Sequence, residues 1–167
     1  LKDLKYGPFS YSGNQSLKDK GLDVKFQLLE ESYRYPSIAV GLRDIAGTGI
    51  FSSEYFLASK RFGNFDFTTG VGWGLLGSEG GLSSPLAFLD DSFKARSASF
   101  IQGGTFTYQD WFSGDAALFG GVEYDLKKYG LRFKLEYDTS NPDINPLNSF
   151  PVRSRFNLGM NYYLSES

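Results

Sequence analysis

The chain has 167 residues and a formal net charge of −2, from 17 Lys+Arg against 19 Asp+Glu. It contains no Cys and no His, which removes disulfides, thiolate nucleophiles, zinc sites of the usual kind, and Ser-His-Asp and Cys-His catalysis. No basic excess is available to neutralise phosphates, so nucleic acid is not an expected partner.

The length suits one domain. Aromatic residues make up 17% of the chain and glycines number 20, an unusual combination. Runs of about 20 apolar residues, which a helical membrane protein would carry, are missing. Aromatic-rich, Gly-rich strands with one apolar and one polar face describe a transmembrane β-barrel, and also a soluble all-β domain. The opening Leu1-Lys2-Asp3-Leu4-Lys5 has neither Met nor an apolar core. It carries no secretory signal and is expected to belong to a longer protein.

Period-two alternation recurs along almost the whole chain. Leu22, Val24, Phe26 and Leu28 alternate with Asp23, Lys25 and Gln27, and Ile38, Val40 and Leu42 with Ala39, Gly41 and Arg43. Over Phe51 to Arg61 both faces hold aromatics. Tyr55 and Leu57 are expected outside there, because Glu54 and Lys60 share the other face. Phe65 to Leu75 alternates most cleanly, with Asp66, Thr68, Gly70, Gly72 and Gly74 on the polar side. The stretch Gly77 to Asp91 reads as a loop. Ser97 to Tyr108 is either a strand pair or an ordered part of that loop. Strands are expected again over Ala116 to Leu126, from Leu131 to Asp138, and from Val152 to Leu164, with a second long loop at 139–151 marked by Asn141-Pro142 and Asn145-Pro146.

The tight turns at Gly63-Asn64 and Lys127 to Gly130 contrast with long connections at about 76–113 and 139–151. Outer-membrane barrels alternate short and long connections in this way. The polar faces mix small and charged residues, as a crowded barrel interior requires. Aromatics near strand ends fit interfacial girdles. The fold expected is therefore all-β: an antiparallel transmembrane β-barrel of about eight strands, either a single domain over 1–167 or a segment of a larger barrel. A soluble lipocalin-like binder remains the alternative.

Several stretches carry a more specific signal. They include Asp19-Lys20-Gly21-Leu22-Asp23-Val24-Lys25, Tyr35-Pro36-Ser37-Ile38-Ala39-Val40-Gly41-Leu42-Arg43-Asp44, Gly72-Trp73-Gly74, Phe119-Gly120-Gly121-Val122-Glu123-Tyr124 and Lys134-Leu135-Glu136-Tyr137. In order and spacing over about residues 19 to 164, the chain resembles the YjbH-like outer-membrane proteins associated with exopolysaccharide and capsule production in Gram-negative bacteria. The resemblance implies an outer-membrane barrel lipoprotein or porin-like protein that assists polysaccharide secretion or surface assembly. It brings no catalytic residues and no cofactor. Family members are several times longer, so the chain would correspond to an N-terminal part.

Candidate site residues follow from the polar faces. Glu54, Lys60, Asp66, Glu123, Asp125, Arg132, Lys134, Glu136, Asp138, Arg153 and Arg155 are expected to line the lumen. Their carboxylates could supply a pair for glycoside hydrolysis, but an interior ladder of ion pairs explains them without chemistry, and no enzyme activity or metal site is expected. A lining that guides an anionic polysaccharide is the intermediate reading. Tyr108, Trp111 and Phe112 in the long connection are candidates for sugar contact, or rings that pack the loop onto the rim. Gly47-Thr48-Gly49 reads as a loop with positive φ, or as a phosphate- or sugar-binding turn. The expected partners are outer-membrane lipid, a polysaccharide, and other envelope proteins or further strands of the same protein. A purely structural barrel anchoring an envelope complex is the alternative function.

Overall fold

A computed structural model describes residues 21–47, 49, 51–97, 108–141 and 152–164. The period-two segments become strands: β1 (Val24–Leu29), β2 (Ser37–Arg43), β3 (Ser53–Phe62), β4 (Phe65–Gly72), β5 (Ala117–Leu126), β6 (Leu131–Tyr137) and β7 (Phe156–Tyr162). They form one antiparallel sheet in chain order, each strand paired with the next. Among the described residues β1 and β7 are unpaired edges, so the sheet is open and the expected barrel closure is not present in it. Seven strands are described where about eight were expected. Most of the ambiguous stretch Ser97 to Tyr108 lies outside the described residues.

The connections divide by length between the two ends of the sheet. One end carries residues 30–36, the two-residue turn Gly63-Asn64, and Lys127–Gly130. Gly63 has φ 59°, which glycine adopts without a Cβ penalty. The other end carries 44–52, 73–116 and 138–155. Its long connections are tied together: Thr139 Oγ1 donates to the Leu76 carbonyl at 2.7 Å, and the Asn141 amide to Ser78 Oγ at 2.8 Å.

The last strand is shorter than its alternation suggested. The Phe156 amide donates to Ser154 Oγ at 3.1 Å, and the Asp138 amide to the Arg155 carbonyl at 2.8 Å. The first bond turns the Phe156 amide to a local partner and the second extends the β6–β7 pairing by one step, so β7 begins at Phe156 and Arg153 and Arg155 precede it.

The pairing register gives each face its composition. Lys60 pairs with Phe67, Phe67 with Val122, and Val122 with Leu135, which pairs with Leu158. This row runs along the apolar face. The polar row beside it passes from Arg61 to Asp66, Glu123, Lys134 and Gly159. The expected parity of β3 is therefore reversed. Tyr55 and Leu57 share the face of Gly41, Gly70 and Gly72, whereas Glu54 and Lys60 stand on the apolar face with Leu42, Phe56 and Val71.

Few large apolar side chains are buried. The buried hydrophobic residues among those described are Ala39, Trp73, Leu76, Ala116 and Ala117. Most of the apolar face is open instead, with Phe67 at 46%, Leu118 at 56% and Leu158 at 85% relative exposure. No described helix is long and apolar enough to cross a membrane.

Candidate functional site

The polar face forms a trough of about 560 Å³ lined by residues from β2 to β6. Strands lie about 4.8 Å apart, so this lining reaches across four strand spacings.

Alternation puts Asp66, Glu123 and Asp125 on one face, with Arg61, Arg132 and Lys134 beside them. There they form one continuous network. Arg61 contacts Asp66 at 2.9 Å and Asp125 at 3.5 Å. Arg132 contacts Asp125 at 2.5 Å and Glu123 at 3.2 Å, and Lys134 contacts Glu123 at 2.6 Å. Three cations and three carboxylates are thereby shared in sequence. Asp125 is buried, while the other five keep contact with solvent.

Glycine pockets shape the other half of the trough. The Tyr55 ring lies over Gly41, where a Cβ would stand 2.1 Å from a ring carbon. Phe119 lies over Gly70 in the same way, at 2.5 Å. Tyr55 and Phe119 meet edge to face with centroids 6.1 Å apart. Bulky rings thus lie flat on this face because glycines from the neighbouring strands make room. Leu76, from the connection after β4, closes over Gly72.

A second polar cluster stands on the apolar face, at the end with the long connections. Glu54 is 2% exposed and takes two bonds from the Arg96 guanidinium, at 2.6 and 3.0 Å. The Phe112 amide donates a third, at 3.0 Å. Around them Phe112 packs against Phe56 at 5.2 Å and Trp73 at 5.4 Å. The long connection therefore folds onto the apolar side of β3 and covers this carboxylate. At the opposite end Lys60 donates to the Ser32, Tyr33 and Tyr35 carbonyls and stands 3.6 Å from Glu31. Both charges are removed from the apolar surface by the loops that cap β3.

Arg155 joins Glu79 at 2.5 Å across the rim, which holds the Glu79 carboxyl below its ordinary range. Asp138 accepts from the Ser140 amide at 2.9 Å. Glu136 lies on the trough and makes no ion pair among the described residues. Arg153 is exposed. Among the loop aromatics, Phe112 is committed to packing, Trp111 is half-buried, and Tyr108 is open at 66% exposure. In the Gly-Thr-Gly turn, Gly49 has φ 81°, Gly47 packs on the Asp44 carboxylate, and Thr48 lies outside the described residues. No group of acidic side chains placed to hold a metal occurs among the described residues.

Residues 1–167 match the family described as "YjbH: Exopolysaccharide biosynthesis protein YbjH". The chain belongs to this family. A relative from Escherichia coli (strain K12), "Uncharacterized lipoprotein YjbH", is 45% identical over 157 residues, covering 94% of this chain and 22% of that protein. The chain thus spans about a fifth of that relative's length. No solved structure matches it.

Within this YjbH-family chain, the segments that carried the resemblance fall on both clusters. Phe119 to Glu123 and Lys134 to Tyr137 line the trough, and Trp73 sits beside the buried Glu54 cluster. Two participants went unnoticed in the sequence. Arg61 takes the place on the polar face expected of Lys60, and the signal was present: the glycine parity of 41, 70 and 72 fixes which face of β3 must be bulky. Arg96 had no sequence signal, because it pairs with Glu54 across 42 residues of chain.

Proposed function

We propose that the chain is a wall section of an outer-membrane β-barrel that takes part in secretion or surface assembly of an exopolysaccharide. The observation that carries this reading is the reversal of an ordinary soluble fold: large apolar side chains stay exposed and polar ones line the trough. A soluble lipocalin-like barrel would fill its interior with apolar residues and turn polar ones to water. A continuous exposed apolar face of this kind marks a membrane or protein contact, and lipid satisfies it over the whole sheet. The open edges fit pairing with further strands, since barrels leave no edge in the bilayer. Membership in an exopolysaccharide biosynthesis family supports the role, and the relative's lipoprotein name supports an envelope location. No catalytic step is assigned.

One experiment with two variants of the intact protein tests both parts. Leu135→Arg places a charge on the apolar face and is expected to weaken folding into lipid vesicles by about 2–4 kcal/mol near the midplane; unchanged folding rejects the membrane wall. Gly159→Trp adds bulk on the polar face, where a Cβ would meet only the Lys134 side chain, at 3.6 Å. It is expected to leave assembly intact and lower surface polymer. Unchanged polymer at normal protein level would favour the anchoring barrel instead.

A further inference from the structure

We infer that the trough accepts an uncharged glycan segment and turns away a polyanionic one, with Glu136 setting the preference. This rests on the polysaccharide reading above and names the class of polymer for the same face.

The charges decide it. Arg43, Arg61, Arg132 and Lys134 face Asp66, Glu123, Glu136 and Asp138 around the trough, and the network adds Asp125. Four cations against five carboxylates give a net charge of −1. More important, the cations are already engaged. Arg61 serves Asp66 and Asp125, Arg132 serves Asp125 and Glu123, and Lys134 serves Glu123. Arg43 stands 3.9 Å from Asp23. A polyanion would have to displace protein carboxylates from these cations, and would meet Glu136 as an uncompensated like charge.

A sugar hydroxyl makes no such demand, because it both donates and accepts. It can donate to Glu136 while accepting from the Asn157 amide, which lies directly across the β6–β7 pair. Both side chains are exposed. Gly121 pairs with Glu136, and Gly159 with Lys134. The sheet is therefore bare beside each of these side chains, where a pyranose ring needs room. The partly exposed ion pairs add further donors and acceptors without net attraction for an anion.

The test compares one polymer backbone in two charge states: dextran oligomers and their carboxymethylated counterparts, titrated into the intact protein in detergent micelles at low salt. Dextran is expected to bind at least about tenfold more tightly, with the gap narrowing as salt rises. Glu136→Lys is expected to shift the preference toward the carboxymethylated chain by about tenfold. Equal or tighter binding of the carboxymethylated oligomers to the unaltered protein overturns the inference and leaves the polysaccharide reading standing. If neither polymer binds, that reading fails and this inference with it.

Discussion

The sheet carries charge on both faces and handles it in two different ways. On the polar face, three carboxylates and three cations share partners in a row that touches solvent. On the apolar face, Glu54 is sealed from solvent and depends on Arg96 and a backbone amide. The first arrangement has redundancy. Removing Arg132 from its middle leaves Asp125 with Arg61 and Glu123 with Lys134. The second has none, since a buried carboxylate without its guanidinium is an uncompensated charge in an apolar setting. The network lies on a surface that solvent reaches, whereas the single pair fastens a loop to β3.

Arg96→Ala should break this comparison most visibly. It strands Glu54 among Phe56, Trp73 and Phe112, with an expected loss of about 3–5 kcal/mol in chemical denaturation of the intact protein. Combining it with Glu54→Leu should recover much of that loss, because the charge is gone. A single-variant loss no larger than that of an exposed ion pair would place Glu54 in water.

A smaller effect is expected from Arg132→Gln. Asp125 keeps Arg61 and Glu123 keeps Lys134, so the denaturation midpoint should move far less than for Arg96→Ala. Adding Lys134→Gln should then cost more than the sum of the two single changes, because Glu123 loses both partners. Strict additivity would show that the ladder does not act as a network.

The smallest effect concerns the rim and appears only in acid. Glu79 has its carboxyl lowered by Arg155, so the stability from this pair is present above the ordinary carboxylate range and is lost as pH falls through the lowered folded value. The Asn141 amide, which joins the same rim through Ser78 and Glu79, should lose protection relative to its intrinsic exchange rate on acidification. Arg155→Gln should lower that protection at neutral pH and flatten the dependence. An acid response that survives this substitution would assign it to another carboxylate.

The strands were legible where one face was uniformly apolar. β2 and β6 show clean alternation, and β4 follows it from Phe65 until Trp73 leaves the ladder to join Phe56 and Phe112. β3 misled because its charges sit at its two ends, where loops cover them, while its polar face holds Tyr55 and Leu57. Charge alone pointed Glu54 inward, and only the glycines of the adjacent strands reveal the true parity. The ladder's membership was largely visible, but its partners were not. Arg61 reaches Asp125 past the intervening strand, and that depends on register as well as alternation. The open edges carry no local signal at all, since alternation within a strand does not say whether another strand lies beside it.

The connection between β4 and β5 has a kinetic consequence. The β3–β4 ladder closes across two residues, whereas Gly72 meets Ala117 only after residues 73–116 have been gathered. Each doubling of a loop adds about 0.6 kcal/mol of closure entropy, and distant pairings form late. The sheet should therefore assemble as two blocks, β1–β4 and β5–β7, whose joining is the slow step. Arg96 and Trp73 dock the connection onto β3 and shorten the distance over which that step must search. A single peptide cleavage near Phe88 and Leu89, both exposed, would turn the joining of the blocks into an encounter between two separate chains and make refolding, but not the finished sheet, depend on concentration.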